Sequence, residues 1–523
     1  MVKVLVIGLD GGTWDLIMPW VKQGKLPTFN KLVKAGTWGE LTSTIPPYTV
    51  PAWNSLTTGK SPGKLGISGL IQKVPGEYDF KPFFFIVKDK KNNVWDILSN
   101  LGKRVVVANI PSTNQAWKVN GFMVAGSFMS VRPGKWSYPR DLKERMKKDI
   151  GFYELQSIGE IKLVEKYAKY LYKLIDRESM MFQYLLTVKP WDFGFIVFEA
   201  PDRIQHKSYD NKQFIFEIYK RIDKELAKII KVAGKDTILL FVSDHGFGPS
   251  EYAFNVNEWL IRQDLLKFKK GGKGSKSRFR KFTSRMIYEG GLKNFLSKIV
   301  SKLPKSWQTK LVHSVVPQEL DESKVDWSRT YAFCKPACGE IYLNVKGREA
   351  EGIIKPGKEY EKVRNDIIKN LKQVKNPNTG KKLDPQVYKQ EDVFGEDAFN
   401  GAPDLVIVPD DNIPTVSARI GSGKVFSRTS LPGEHRVNGL FLATGPGVKK
   451  NFKFDTKIKD ISPTILHIYN VPIPKDMDGN VIYDIFEEGS ELKTRKAVYG
   501  SRKEKDIIKD QIKDIISKKK IKF

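Results

Sequence analysis

The sequence predicts an α/β protein whose core is a mostly parallel sheet. Short apolar runs rich in β-type residues alternate with longer amphipathic segments, and parallel strands require crossover connections of the kind that helices supply. The run at residues 2–9 is almost continuously apolar, as expected of a strand that is buried on both faces. Similar runs follow at residues 104–110, 193–198 and 237–242.

Amphipathic spacing predicts the helices between these runs. They cover residues 14–22, 28–35, 93–100, 164–186 and 214–232. Toward the C-terminus, the pattern predicts helices at residues 360–374 and 460–469. Further strands are predicted at residues 37–44, 404–408 and 439–443. The alternation of strand and helix therefore extends over most of the chain.

The length of 523 residues exceeds one minimal domain, and the composition changes twice along the chain. We expect a discontinuous catalytic core at residues 1–256 and 326–490. Residues 257–325 are rich in Lys, Arg, Gly and Ser and are predicted to form an inserted basic cap. Residues 491–523 contain Lys pairs that alternate with isoleucines, which predicts a helical tail.

The formal charge of +30, from 89 basic and 59 acidic residues, favours anionic partners. Phosphate esters, nucleic acid and acidic lipid surfaces belong to this class, and the cap and the tail are the segments expected to contact a polyanion. The alternative is a basic surface that only keeps the protein soluble. Neither the charge nor the composition indicates the oligomeric state.

A soluble, cytoplasmic protein is expected. The two cysteines, Cys334 and Cys338, provide no disulfide framework and are interpreted as small buried residues. The N-terminal apolar run is too short for a signal peptide. No apolar run approaches the ~18 residues that a membrane-spanning helix needs.

Acids and histidines follow three of the predicted strands, at the strand ends where ligands of parallel sheets bind. Asp10 follows the first strand. Asp202 and His206 follow the strand at 193–198 and are four residues apart, so they share one face if Asp202 opens a helix. Asp244 and His245 follow the strand at 237–242, and both can face one ion only if they lie in the loop beyond it.

His435 also stands between a glycine and a predicted strand, so three of the five histidines occupy such positions. A single histidine is usually structural, but three histidines and three aspartates at loop positions beside the predicted strands indicate a metal site. Imidazole and carboxylate ligands suit Zn²⁺ and also suit Mn²⁺. Six such ligands are enough for two divalent ions, the arrangement that supports displacement at phosphorus.

A turn before a helix is predicted to carry the nucleophile. Pro51 is tolerated in a first helical turn, where its missing N–H is not needed. Thr49 then stands at the helix start, where the helix dipole favours an alkoxide beside a phosphate. Without the acids and histidines, Thr49 would be interpreted as an ordinary helix cap.

As an ordered set, these motifs resemble the alkaline phosphatase superfamily and, within it, the type I phosphodiesterase/nucleotide pyrophosphatase branch. The resemblance extends over residues 3–485 apart from the cap. It rests on Asp10-Gly11, Thr49 in T-V-P-A-W-N-S-L-T-T-G, Asp202-x3-His206, Asp244-His245-Gly246, Gly433-x-His435, the segment 460–466 and Met477-Asp478-Gly479.

The resemblance implies a three-layer α/β/α sandwich with a central, largely parallel sheet. It implies a first metal bound by Asp202, His206 and His435, and a second bound by Asp10, Asp244 and His245. Thr49 would attack phosphorus to form a phosphothreonine, which water then hydrolyses. The implied activity is hydrolysis of phosphate mono- or diesters.

The sequence departs from the nucleotide pyrophosphatase pattern near the nucleophile. That pattern commonly has Asn-His where this chain has Ala52-Trp53, and an asparagine near the position of Leu70. The phosphoryl oxygens would then be bound by Asn54, by backbone N–H groups at the helix start, or by lysines of the cap.

Other activities in the superfamily fit the sequence less well. Sulfatases need Cys or Ser followed by x-P-x-R, and cofactor-independent phosphoglycerate mutases use serine, whereas this chain has Thr49. Two alternatives stay open, namely phosphoryl transfer between hydroxyls and a non-catalytic module that binds anions. The sequence does not indicate the natural substrate.

Overall fold

The structure is a computed structural model of the 523-residue chain. It describes residues 2–82, 92–111, 113–126, 135–152, 163–269, 320–335, 339–376, 380, 382–395, 398–410, 415–429 and 431–500. Most of the predicted cap (270–319) and most of the predicted tail (501–523) lie outside the described residues.

The strands are numbered in chain order. They are β1 (Lys3–Leu9), β2 (Gly36–Thr42), β3 (Ile71–Lys73), β4 (Phe80–Pro82), β5 (Val105–Ile110), β6 (Gly121–Ala125), β7 (Ser137–Tyr138), β8 (Phe193–Phe198), β9 (Thr237–Val242), β10 (Gly246–Pro249), β11 (Tyr252–Asn255), β12 (Ala332–Cys334), β13 (Glu340–Leu343), β14 (Val387–Lys389), β15 (Leu405–Ile407), β16 (Thr415–Ser417), β17 (Phe426–Arg428), β18 (Gly433–Arg436), β19 (Asn438–Thr444), β20 (Phe452–Lys453) and β21 (Thr456–Lys457).

The helices are numbered in the same way. They are α1 (Trp14–Lys22), α2 (Pro27–Ala35), α3 (Thr49–Thr58), α4 (Pro62–Leu65), α5 (Val94–Asn100), α6 (Leu142–Ile150), α7 (Val164–Thr187), α8 (Ala200–Ser208), α9 (Lys212–Ala233), α10 (Val256–Arg262), α11 (Lys358–Leu371), α12 (Gln390–Phe394), α13 (Ile461–Ile468) and α14 (Glu491–Thr494). Short 3₁₀ turns lie at Glu322–Lys324, Trp327–Arg329, Ile458–Asp460 and Tyr483–Ile485.

The chain divides into two compact units. The first contains residues 1–70, 87–248 and 435–523, and the second contains residues 71–86 and 249–434. This division differs from the predicted core and cap, since residues 326–434 fall in the second unit and not with the first 248 residues. The second unit is therefore larger than a cap of residues 257–325.

The first unit is built on one ten-stranded sheet. Its order is β20-β2-β19-β9-β1-β8-β5-β6-β7, and β21 also pairs with β2. The five consecutive strands β9, β1, β8, β5 and β6 run parallel to one another. Strand β19 is antiparallel to both β2 and β9, and β7 is antiparallel to β6. The predicted α/β class with a mostly parallel sheet is confirmed.

Helices cover both faces of this sheet, as the alternation along β1 shows. Leu5 and Ile7 pack in one apolar core with residues of α1, α2, α7 and α9. Val4 and Val6 pack in a second core with residues of α3, α5 and α13. Successive side chains of a strand point to opposite faces, so two cores on one strand require layers on both sides. The predicted three-layer sandwich is confirmed.

The second unit has a separate apolar core and small sheets of its own. Its four-stranded antiparallel sheet has the order β12-β13-β15-β14, and a three-stranded sheet has the order β16-β11-β17. A buried ion pair joins Lys73 to Glu349 at 3.1 Å, and the partly exposed Arg348 pairs with the buried Asp404 at 2.7 Å. Cys334 is buried as predicted, whereas Cys338 lies outside the described residues.

The order of strands in the large sheet places three predicted strand ends side by side. Strand β1 lies between β8 and β9 and is parallel to both. Residues that follow these three strands therefore emerge at one edge of the sheet. The Asp10 backbone N–H donates to the carbonyl oxygen of Phe198 at 3.0 Å, which fixes the first of these residues beside the end of β8.

Among the described helices, none combines the length and the apolar character that crossing a bilayer would require.

Gly246→Ala is expected to destabilise the protein. An ideal Cβ at Gly246 would lie 1.9 Å from the carbonyl oxygen of Asn438, at the start of β19. A backbone atom moves only if the strand moves, and overpacking of this kind costs about 1–3 kcal/mol. Urea unfolding should therefore show a lower midpoint for the variant, and an unchanged midpoint would contradict the observed packing.

Candidate functional site

All six predicted metal ligands lie in the first unit, and the structure brings them together. Five of the side chains are buried, and that of His206 is partly exposed. They come from four places along the chain, at the ends of β1, β8 and β9 and within β18. The residues are Asp10, Asp202, His206, Asp244, His245 and His435.

Asp10, Asp244 and His245 form one candidate metal site. The Nε2 atom of His245 lies 3.2 Å from Oδ2 of Asp244 and 3.7 Å from Oδ1 of Asp10. One ligand atom of each residue lies within 4.8 Å of the other two. Two ligands of one tetrahedral zinc ion are about 3.4 Å apart, so the spacing fits a single ion.

Asp202 forms a second group with His206 and His435. Its Oδ1 atom lies 3.4 Å from Nε2 of His206 and 3.2 Å from Nε2 of His435. The same oxygen is 4.0 Å from Nε2 of His245. Asp202 and His206 are one turn apart on α8, which confirms that they share a helix face. The two groups are therefore adjacent.

Backbone carbonyls fix the orientation of two imidazoles. The Nδ1 atom of His245 lies 3.0 Å from the oxygen of Gly246, and Nδ1 of His435 lies 3.0 Å from the oxygen of Pro47. A carbonyl accepts only, so each Nδ1 carries a proton, and Nε2 is the ring atom that faces the neighbouring candidate ligands. Metal-bound histidines in proteins are commonly oriented in this way.

Two carboxylates each have one oxygen engaged and one directed at the group. Oδ1 of Asp244 accepts from the N–H of Gly11 at 3.1 Å, and Oδ2 of Asp10 accepts from Nε1 of Trp53 at 3.2 Å. Within the described ranges, Oδ1 of Asp10 and Oδ2 of Asp244 are buried and accept no hydrogen bond. Buried oxygens without donors are costly, and a cation would compensate them.

The electrostatics of the group also fit a cation. Burial, together with the charges of neighbouring carboxylates, raises the pKa of Asp10 and that of Asp244 well above the ordinary value. Burial would also raise the pKa of Asp202, but His206 and His435 outweigh it and hold that pKa well below its usual range. Burial and the neighbouring His435 lower the pKa of His245. A neutral imidazole is the form that binds metal.

Thr49 is the first residue of α3, after Tyr48, as predicted for the start of a helix. Its side chain is 5% exposed, and its Oγ1 atom lies 3.5 Å from Nε2 of His245. The hydroxyl therefore borders the group formed by Asp10, Asp244 and His245. This is the place where a nucleophile next to a metal ion would stand.

Asn54, the predicted substrate donor, is engaged within the same helix. Its Nδ2 atom donates to the carbonyl oxygen of Val50 at 2.7 Å. Its role toward a substrate stays a prediction. The lysines of the cap, which the sequence also offers as donors to the phosphoryl oxygens, lie mainly outside the described residues.

The family of the chain follows from a comparison with models of known families. The model of the type I phosphodiesterase/nucleotide pyrophosphatase family matches residues 4–429. The chain belongs to this family. The match contains every predicted site residue except His435, which follows it by six residues and joins the site through the fold.

Solved structures of family members support the same fold. The chain is similar to the murine ectonucleotide pyrophosphatase/phosphodiesterase 5, to an inactive variant of that protein in complex with AMP, and to the human protein of the same name. Each shares 16% sequence identity with it at a TM-score of 0.51, and the alignment covers 93% of this chain and 100% of the other. A search of curated protein sequences gave no match.

Sequence reasoning missed two residues that hold the site of this phosphodiesterase-family chain together. Trp53 donates to Asp10, and Nε2 of Gln205 donates to the carbonyl oxygen of Gly11 at 2.9 Å. Gln205 precedes His206 and so links the Asp10 loop to α8. Its position next to a candidate ligand was the only sequence signal, and it does not reveal the partner.

Asp10→Asn is expected to stabilise the protein in the presence of a chelator. The raised pKa means that the ionised carboxylate opposes folding, and the amide removes that charge while its oxygen can still accept from Trp53. The gain in the free energy of unfolding should be smallest at pH 4 and below, and it should grow as the pH rises. Thermal unfolding at several pH values measures it.

The matched control is Asp15→Asn, because Asp15 is an exposed carboxylate in the first turn of α1. Asp15→Asn should change the stability of the protein only slightly, and this change should not grow with pH as the change for Asp10→Asn does. Equal pH dependence of the two variants would contradict the electrostatic account of Asp10.

Proposed function

We propose that the protein hydrolyses phosphate mono- or diesters with Thr49 as the nucleophile and with two divalent metal ions. Membership of the type I phosphodiesterase/nucleotide pyrophosphatase family supports phosphoester hydrolysis. The observation that carries the finer proposal is the 3.5 Å distance from Oγ1 of Thr49 to Nε2 of His245, within a cluster of buried carboxylates and imidazoles.

Each ion would be held by three side chains. Asp202, His206 and His435 would bind the first, and the second would be bound by Asp10, Asp244 and His245. The mixed set of oxygen and nitrogen ligands suits Zn²⁺, with Mn²⁺ as the alternative. When bound, the two ions lower the pKa of a nucleophilic hydroxyl and stabilise negative charge on phosphoryl oxygens.

The first displacement transfers the phosphoryl group to Thr49. Its hydroxyl proton passes to solvent, an Oγ1–P bond forms, and the bond from phosphorus to the leaving oxygen breaks. The leaving group departs with the bonding electron pair and takes up a proton from solvent. Because Thr49 begins a ten-residue helix, the positive end of the helix dipole faces the developing charge.

The second displacement regenerates the enzyme. Water attacks the phosphothreonine, a new P–O bond forms, and the Oγ1–P bond breaks. Thr49 regains its proton, and phosphate or a phosphomonoester is released. Thr49 is the protein nucleophile of the first displacement, and water is the nucleophile of the second. The proposed cycle therefore needs no second protein nucleophile.

Thr49→Ala is expected to lower kcat for bis(p-nitrophenyl) phosphate or p-nitrophenyl phosphate by at least about 10³-fold, because no covalent intermediate can form. Thr49→Ser keeps a hydroxyl and should retain measurable turnover. Release of p-nitrophenol measures both. Acid-quenched wild-type protein should carry a phosphoryl group on the peptide that contains residue 49.

Both variants should unfold at nearly the wild-type temperature and bind metal as the wild type does, because among the described residues the hydrogen-bond contact of Oγ1 is the long one of 3.5 Å to His245. Full turnover by a folded Thr49→Ala protein would remove Thr49 from the mechanism.

Nucleotides are the first substrates to test. The murine relative was solved in complex with AMP, and the family name includes nucleotide pyrophosphatases. Hydrolysis should release inorganic phosphate or a nucleoside monophosphate into water. Transfer of the phosphoryl group to an added alcohol in place of its release would favour the alternative of a phosphotransferase.

Contact of the cap and the tail with anionic lipid or nucleic acid, and a cytoplasmic location, stay predictions. The segments concerned lie mostly outside the described residues.

A further inference from the structure

Helix α3 carries two side chains that reach the candidate metal groups. Thr49 and Trp53 are four residues apart, so they lie on one face of the helix. Thr49 approaches His245, and Nε1 of Trp53 donates to Oδ2 of Asp10 at 3.2 Å. One turn of helix thus holds the proposed nucleophile and a direct partner of a proposed metal ligand.

Packing fixes the indole of Trp53. The residue is fully buried, and its ring lies against β1 at Gly8, where an added Cβ would come within 2.5 Å of Cη2. The ring also makes an edge contact with Phe195 at 6.1 Å between centroids. An indole can only donate a hydrogen bond, so this N–H specifies which oxygen of Asp10 it engages.

The engagement of Oδ2 determines what Asp10 presents to the site. Its other oxygen, Oδ1, is buried without a hydrogen bond among the described residues and faces Nε2 of His245 at 3.7 Å. A carboxylate without this partner could rotate and offer either oxygen or both. The hydrogen bond therefore favours binding through Oδ1 alone.

We propose that Trp53 is a positioning residue that fixes the carboxylate of Asp10 so that Oδ1 binds the divalent cation next to Thr49. This inference rests on the proposed function, because it assigns Trp53 to the metal site proposed above. Trp53 belongs to the Ala52-Trp53 pair, which stands where nucleotide pyrophosphatases commonly have Asn-His. The inference therefore gives a role to this departure from the usual pattern.

Trp95 offers a matched control. It is 1% exposed, lies in the same apolar core as Trp53, and makes an edge contact with the same Phe195 ring at 6.0 Å. Its Nε1 atom is buried and has no hydrogen-bond partner in the described part of the chain. Replacement by Phe costs packing at both positions but removes a hydrogen bond to a proposed ligand only at position 53.

The test is calorimetric titration of the metal-free, full-length protein with Zn²⁺, and separately with Mn²⁺. In Trp53→Phe, one of two binding events should weaken about 10- to 100-fold, the usual effect of removing a hydrogen bond to a metal ligand. The other event should keep its wild-type affinity. Trp95→Phe should bind both ions as the wild type does, although both variants lose some thermal stability.

A second variant covers the case in which Trp53→Phe does not fold. Incorporation of 3-benzothienylalanine at position 53 keeps the bicyclic shape and replaces only the N–H by sulfur, and it should weaken the same binding event.

The outcomes separate the two proposals. Wild-type affinities for both ions in the benzothienyl or Trp53→Phe protein, or equal weakening by Trp95→Phe, would overturn the role of Trp53 and leave the proposed function intact. Wild-type protein that binds neither ion would overturn both.

Discussion

The first unit depends on one electrostatic constraint, the confinement of three carboxylates and three imidazoles in a few ångströms of buried space. Burial and mutual repulsion raise the pKa values of Asp10 and Asp244, and backbone carbonyls that contact Nδ1 turn the Nε2 atoms of His245 and His435 inward. Such an arrangement is unfavourable without positive charge at its centre. The two divalent cations proposed above would remove this penalty.

The large sheet makes this confinement possible. Because β1 lies between β8 and β9 and is parallel to both, Asp10, Asp202 and Asp244 leave the sheet at one edge. Apolar layers on both faces hold the strands in register. This packing therefore keeps the three carboxylates close together although their charges repel each other. Helix α3 then adds Thr49 from one side, and its Trp53 engages Asp10 from within the apolar core.

Much of the first unit could be predicted from the sequence. Buried parallel strands are continuous apolar runs, and the acids that follow such runs indicate the candidate ligands Asp10, Asp202 and Asp244. Three features depend on distant contacts that no local pattern records. They are the antiparallel pairing of β19, the division that assigns residues 326–434 to the second unit, and the hydrogen bond from Trp53 to Asp10. Each of them joins residues that are far apart in the sequence and that meet only after the chain has folded.

The most direct test of the central claim is anomalous X-ray diffraction at the zinc and manganese absorption edges from crystals grown with each ion. The account predicts two peaks about 4 Å apart, one among Asp202, His206 and His435 and the other among Asp10, Asp244 and His245, beside Oγ1 of Thr49. Crystals that contain metal elsewhere, or that show no peak among these six side chains, would contradict the account.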